Sequence, residues 1–115
     1  MNRKELLKRI LEFRNDRDWK QFHDPKNLAG AISIESAELL ELFQWIRNED
    51  SERYGLENIE KVKKEVADVM IYLMYFCNDL GIDIDKAVEE KIIENAKKYP
   101  KEKSKGNAKK YTELK

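Results

Sequence analysis

Cysteine and histidine are almost absent from this sequence of 115 residues, which has one of each, Cys77 and His23. A single cysteine cannot form an intramolecular disulfide, so a reducing, cytoplasmic setting is expected. The same scarcity argues against structural zinc, which is held by several cysteine and histidine ligands. It also argues against a di-iron bundle, because that site needs Glu-x-x-His motifs on helices and His23 falls in a predicted loop.

Glycine and proline are also rare, with four and two residues, whereas charged residues make up 40% of the chain. This composition, rich in lysine, glutamate, leucine and isoleucine, predicts an all-α fold. The formal net charge is zero, so neither a nucleic-acid polymer nor an anionic membrane is an expected partner. The longest apolar run, residues 66–77, is too short to span a bilayer, and the charged amphipathic amino terminus predicts no signal peptide.

Start and stop signals predict four helices. The first three cover residues 3–17, 25–47 and 56–80, and the fourth runs from a cap at Asp83 or Asp85 to Tyr99. Residues 48–54 are predicted to be a polar connection. Lysine-rich composition predicts a flexible tail over residues 101–115, so the expected organisation is one domain, residues 1–100, followed by this tail.

Two acidic pairs lie on apolar helix faces. Glu35 and Glu38 are three residues apart, as are Glu65 and Asp68, so each pair projects from one side of its helix. With 23 acidic residues in the chain, such pairs also arise on solvated surfaces. A carboxylate on an apolar face, however, is costly unless it is paired or binds a metal. Four converging acids therefore predict a site for Mg²⁺, which prefers hard oxygen ligands.

Flat and polar-tipped side chains lie near the first acidic pair. Trp19, His23 and Trp45 could form a stacking pocket for a nucleobase, or the tryptophans could be core and His23 a loop residue. On the fourth predicted helix, one face carries Lys91, Asn95 and Lys98. That face could contact phosphate or sugar oxygens, or it could be an ordinary solvated charged face.

The third predicted helix is apolar nearly all round in its carboxy-terminal half. Such a helix needs cover on more than one side, and a second subunit could provide it. The residues expected to need that cover are Met70, Ile71, Met74 and Tyr75. The chain is therefore predicted to form a homo-oligomer, a dimer or a tetramer, through its helices.

Five stretches together resemble the MazG-like, all-α nucleotide pyrophosphohydrolases, and are most similar to the dCTP pyrophosphatase branch. They are RDWKQFHDPKNL (17–28), ESAELLELFQW (35–45), EVADVMIY (65–72), KIIENAKKYP (91–100) and KGNAKKYTEL (105–114). The resemblance implies a four-helix MazG-like bundle. It also implies magnesium-dependent hydrolysis of a (deoxy)nucleoside triphosphate such as dCTP to monophosphate and pyrophosphate.

The resemblance also implies roles for individual residues. The implied metal ligands are Glu35, Glu38, Glu65 and Asp68, and one glutamate, Glu35 or Glu38, would position or deprotonate the attacking water. The implied substrate-binding residues are Trp19, His23, Trp45, Tyr72, Lys91, Asn95 and Lys98. The alternative from another class is a non-catalytic helical homodimer that senses a nucleotide or binds a partner.

Overall fold

The structure, a computed structural model, describes residues 1–114, and these residues form helices and turns with no strand. The α-helices are α1 (Arg3–Asp16), α2 (Pro25–Phe43), α3 (Ser51–Glu57), α4 (Ile59–Asp79), α5 (Ile84–Lys98) and α6 (Lys101–Ser104). Single 3₁₀ turns lie at Lys20–Phe22, Asn48–Asp50 and Tyr111–Glu113. The predicted all-α fold is confirmed.

Three helices begin at the capping residues that the sequence indicates. The side chain of Asn2 accepts a hydrogen bond from the Glu5 backbone N–H at 2.9 Å, and Asp24 accepts one from Asn27 at 2.7 Å. For α5 the cap is Asp83 rather than Asp85. These bonds satisfy N–H groups that a helix start leaves without a partner.

The region around Asn58 differs from the prediction. The expected polar connection is partly helical, because α3 occupies most of it, and the expected third helix is two helices that meet at Asn58. The backbone and side-chain N–H groups of Asn58 both donate to the carbonyl of Tyr54, at 3.0 and 2.9 Å. This local bonding ends α3 and starts α4, and a helical pattern of apolar residues gives no sign of it.

The chain divides into two compact units, Met1–Gly81 and the residues from Ile82 onward. In the first unit α2 packs against α4, and α1 and α3 also contact α4. Leu28, Met74 and Tyr75 are its buried apolar residues, together with the charged Arg14. The packing of α2 on α4 brings the two acidic pairs to one interface.

The prediction of which apolar residues of α4 need cover from a second subunit was wrong. Met74 and Tyr75 are buried within their own chain, and Met70 and Ile71 are half-buried, so these four residues do not form the exposed face. The exposed large apolar residues of α4 are instead Ile59, Val66 and Leu73, and Leu80, directly after the helix, is exposed as well. Ile71 and Tyr75 lie on the other side of the helix from Val66 and Leu73, a difference that a run of residues apolar all round does not reveal.

The second unit contains α5, α6 and the last 3₁₀ turn. The Tyr111 ring packs edge-on against Tyr99, with ring centroids 6.3 Å apart, and the Lys98 ammonium lies 4.9 Å from the Tyr111 ring. The flexibility of residues 101–115 stays a prediction, and Lys115 lies outside the described residues. Within residues 1–114, no helix combines the length and hydropathy of a membrane span.

Candidate metal centre and aromatic pocket

Three of the four predicted metal ligands meet where α2 packs against α4. Glu35 and Glu38 project from α2 and Glu65 from α4, and one carboxylate oxygen from each lies within 4.8 Å of the others. All three residues are half-buried. The spacing of three residues places Glu35 and Glu38 on one face of α2, and the packing of the two helices brings Glu65 to that face.

The cluster leaves buried oxygen atoms without partners. Within residues 1–114, Oε2 of Glu35 and Oε2 of Glu65 are buried and accept no hydrogen bond. Burial raises the pKa of Glu35 from 4.5 to about 7, helped by a hydrogen bond with the Glu38 carboxyl and by the neighbouring negative charges. The pKa of Glu65 is also raised, by burial first and then by the charge of Glu38. The three carboxylates therefore concentrate negative charge at a half-buried position with limited access to water.

A divalent cation fits this donor set. Carboxylate oxygens are the ligands that Mg²⁺ prefers, and orphaned buried oxygens are the atoms that a cation would satisfy. No lysine or arginine in residues 1–114 forms an ion pair with Glu35, Glu38, Glu65 or Asp68. The compensating charge that half-buried carboxylates require is thus not supplied by neighbouring side chains.

Asp68 stands at the edge of this cluster. Its side chain is exposed and is not among the three carboxylates that approach within 4.8 Å. It is close enough for its charge to raise the pKa of Glu35. One helical turn after Glu65, Asp68 also lines the neighbouring pocket, so it connects the acidic cluster to that cavity.

The pocket, called here the aromatic pocket, has a volume of about 400 Å³. Its apolar and aromatic lining comes from α1, the segment after it and α4, through Ile10, Phe13, Trp19, His23, Ile71, Tyr72 and Tyr75. Arg9 and Asp68 are the charged lining residues. A cavity of this size lined by flat side chains suits a planar ring system such as a nucleobase.

His23 supplies a polar atom to the aromatic pocket. Its ring centroid lies 5.3 Å from that of Tyr75 and 6.2 Å from that of Tyr72. Nδ1 of His23 is buried and has no hydrogen-bond partner in residues 1–114. Burial lowers the pKa of His23, and the positive charge of Arg14 lowers it further, so the neutral ring is favoured. A neutral imidazole can donate one hydrogen bond and accept another.

Trp19 and Trp45, the two tryptophans predicted to bind substrate, lie in different parts of the structure. Trp19 lines the aromatic pocket and packs edge-on against Phe13, with ring centroids 5.6 Å apart. Trp45 is 87% exposed and, with Arg53 and Tyr54, lines a shallow cleft of about 220 Å³. The structure thus brings Trp19, His23 and Tyr72 together but leaves Trp45 apart, and its substrate-binding role stays a prediction.

The predicted phosphate-binding residues lie in the second unit. Lys91 and Lys98 both contact Glu94, with Nζ–Oε1 distances of 3.2 and 3.0 Å. The backbone carbonyl of Asn95 accepts a hydrogen bond from Tyr99 at 2.8 Å, as part of the end of α5. The contacts of Lys91, Asn95 and Lys98 with a nucleotide stay predictions.

Sequence reasoning missed part of the aromatic pocket. Tyr75, predicted to lie at a subunit interface, is three residues after Tyr72 on the same side of α4 and lines the pocket beside His23. The pocket-lining role of Phe13 and Ile10 was missed because their spacing is that of any apolar stripe on a helix. The spacing of Tyr72 and Tyr75 was the available signal.

The fold and the acidic cluster define an all-helical protein with a candidate site for a divalent cation beside a pocket for a planar ligand. Residues 31–114 match the sequence profile of the MazG-like family. The chain therefore belongs to the MazG-like family.

Relatives and a solved structure agree with this assignment. The chain is 39% identical over 105 residues to dCTP pyrophosphatase 1 of Rattus norvegicus and 38% identical to that of Homo sapiens. The match covers 90% of this chain but 62% of each relative, so the chain spans less than two thirds of their length. A pyrophosphatase from Archaeoglobus fulgidus is 47% identical, with a TM-score of 0.81, over 84% of this chain and 91% of that one.

Proposed function

We propose that this protein hydrolyses nucleoside triphosphates, with dCTP or a close relative as substrate, to the monophosphate and pyrophosphate, and that it requires Mg²⁺. The observation that carries the proposal is an acidic cluster that forms no ion pair within residues 1–114 and is joined through Asp68 to an aromatic pocket. The printed names of the relatives, dCTP pyrophosphatase 1 and a pyrophosphatase, support the reaction class.

The carboxylates have distinct tasks in this proposal. Glu35, Glu38, Glu65 and Asp68 would hold the ion, which when bound neutralises phosphate charge and orients the phosphates for attack. A glutamate of α2, Glu35 or Glu38, accepts a proton from the attacking water.

The aromatic pocket would hold the base. Trp19 and the tyrosines offer stacking surface, which binds any base and so contributes affinity more than selectivity. Selectivity needs hydrogen bonds to the base edge, and the buried Nδ1 of His23 is a polar atom with unused capacity. A pocket that pairs such atoms rejects bases that leave them unpaired.

A homo-oligomer, a dimer or a tetramer, belongs to the same proposal. Val66 and Leu73 of α4 and Leu80, directly after its end, are 49%, 37% and 50% exposed, and they follow one another at seven-residue intervals. Residues seven apart lie on one side of a helix, so these three form a stripe that a second helix can cover. The lone cysteine, Cys77, is consistent with the cytoplasmic setting that we also propose.

The test is a panel of ribo- and deoxynucleoside triphosphates assayed for pyrophosphate release with Mg²⁺ and with a chelator. Release that depends on Mg²⁺, fastest with dCTP or a modified cytosine nucleotide, is the expected result. In oxygen-18 water, attack at the α-phosphorus places the label in the monophosphate. Label found only in pyrophosphate would contradict that attack, and nucleotide binding without turnover would favour the nucleotide-sensing dimer instead.

A further inference from the structure

Arg14 and Asp79 form a nearly buried ion pair outside the aromatic pocket. Two parallel hydrogen bonds join them, from Nη1 to Oδ2 at 2.8 Å and from Nη2 to Oδ1 at 2.9 Å. The two side chains are only 4% and 9% exposed. Nε of Arg14 is buried and has no hydrogen-bond partner in residues 1–114. Burying an incompletely satisfied charge is costly, so stability alone is a weak reason for this pair.

The pair anchors the segment that carries Trp19. The backbone carbonyl of Arg14 accepts a hydrogen bond from the Trp19 N–H at 3.0 Å. Lys20, the next residue, places its Nζ 3.7 Å from Oδ2 of Asp79. Between these anchors Asp18 has a φ of +53°, which residues other than glycine rarely adopt. Asp79 thus contacts basic side chains on both sides of a tight turn.

The same pair also supports Tyr75, another residue that lines the aromatic pocket. The guanidinium carbon of Arg14 lies 4.6 Å from the centre of the Tyr75 ring. Tyr75 in turn donates its hydroxyl hydrogen to the carbonyl of Ile10 at 2.7 Å, and its ring contacts His23. The guanidinium is therefore bound by a carboxylate and lies against an aromatic ring, which restricts where that ring can lie.

We propose that the Arg14–Asp79 ion pair positions the walls of the aromatic pocket and thereby determines how tightly substrate binds. The proposal rests on the proposed function in so far as the pocket holds the base of a nucleotide. Neither residue is among those that line the pocket, so both act through Trp19, Tyr75 and their neighbours. Asp79 lies about 16 Å along α4 from Asp68, at 1.5 Å per residue. The pair is thus remote from the carboxylates of the acidic cluster, so its removal should not change the rate of the chemical step.

The deciding variant is the double change Arg14→Met with Asp79→Leu. Replacing both partners of a buried ion pair by apolar residues is often neutral or stabilising, whereas removing one leaves a buried unpaired charge. If the pair only stabilised the fold, this variant would behave as wild type. If the pair positions the pocket, KM for dCTP rises about tenfold while kcat stays within about twofold, the pattern of lost binding without lost transition-state stabilisation. The matched control is Glu60→Gln with Lys63→Met, which removes an exposed ion pair of α4.

NMR spectroscopy of His23 provides a second readout that does not depend on enzymatic activity. His23 is the only histidine, so its imidazole signals in an NMR spectrum identify themselves. The charges of Arg14 and Asp79 act on His23 directly, so the readout is the set of nuclear Overhauser contacts between the His23 and Tyr75 rings and not the position of the signals alone. In the double variant these contacts should weaken, because the Tyr75 ring loses its support, and in the control they should be unchanged. Unchanged contacts, or an unchanged KM, in the folded double variant would overturn the proposal.

The test also works if the double variant does not fold or if the wild type has no activity. If the double variant does not fold, Arg14→Lys replaces it, since lysine keeps the charge but cannot form the two parallel bonds. A raised KM with weakened contacts between the His23 and Tyr75 rings then supports the proposal, and wild-type values overturn it. If wild type releases pyrophosphate from no triphosphate, the proposed function fails, while the contacts between these rings still decide whether the ion pair positions the pocket.

Discussion

The carboxylates of Glu35 and Glu65 approach within 4.8 Å of each other from two different helices, and each has a buried oxygen atom without a hydrogen-bond partner in residues 1–114. Two carboxylates this close repel each other when both are ionised. The α2–α4 interface thus holds them in an arrangement that is unfavourable unless a proton or a cation is also present. This relationship makes the cluster sensitive to both metal and pH.

Neutralising one ligand should stop the reaction without unfolding the protein. Glu38→Gln or Asp68→Asn removes a negative charge while keeping the side chain's shape, so we expect turnover to fall by about 10²-fold or more. The fold should survive because repulsion within the cluster decreases. Pyrophosphate release and circular dichroism measure the two effects.

The matched control for these changes is Glu60→Gln. Glu60 lies on α4 like Asp68, but it is exposed and pairs with Lys63 at 3.3 Å, away from the cluster. It should keep full activity. Wild-type turnover in both Glu38→Gln and Asp68→Asn would remove these residues from the catalytic centre.

The stability of the metal-free protein should depend on pH through Glu35. Its pKa is about 7 in the folded protein and 4.5 ordinarily, so between these values the folded state binds more protons than the unfolded state. The contribution of Glu35 to stability is therefore greatest below about pH 4.5 and is lost as the pH rises through about 7. Thermal unfolding in the presence of a chelator should show this fall, and Glu35→Gln should reduce it.

Magnesium should reverse that trend. A cation binds the ionised carboxylates, so added Mg²⁺ should raise the melting temperature more at about pH 8 than at about pH 5. At a hundredfold excess over its Kd, a ligand that binds only the folded state stabilises by about 2.7 kcal/mol. Equal effects of Mg²⁺ at both pH values, or an undiminished effect in Glu35→Gln, would contradict the assignment.

The acidic cluster was predictable because each part of it has a local signature. Two acids three residues apart on an apolar face are visible in the sequence, and packing of α2 on α4 then joins the pairs. The Arg14–Asp79 pair was not predictable, because its partners are 65 residues apart and charged residues usually remain in solvent. The break at Asn58 was missed for a different reason, since it depends on hydrogen bonds that periodicity does not report.

The exposed stripe of α4 should be an interface between subunits. Leu73→Arg places a charge in the middle of Val66, Leu73 and Leu80, so we expect dissociation, measured by light scattering at micromolar concentration. A buried unpaired charge at an interface is strongly unfavourable. The control is Glu60→Lys, a change of charge at an exposed position of the same helix. A wild-type protein that is a stable monomer would contradict the assembly, and an oligomer that survives Leu73→Arg would place the interface elsewhere.

The tail should contribute to substrate binding. It carries Lys109 and Lys110 just before Tyr111, whose ring packs on Tyr99 and near the Lys98 ammonium, so the lysines are tethered to the end of α5. A segment that orders over a bound nucleotide excludes water and strengthens phosphate contacts. A chain truncated after Pro100 should therefore keep its fold and its Mg²⁺ binding but show a raised KM. Tyr111→Ala should reproduce part of that rise if tethering matters, whereas Tyr111→Phe, which keeps the ring, should not. Kinetics unchanged by truncation would leave residues 101–115 as a solvated appendage.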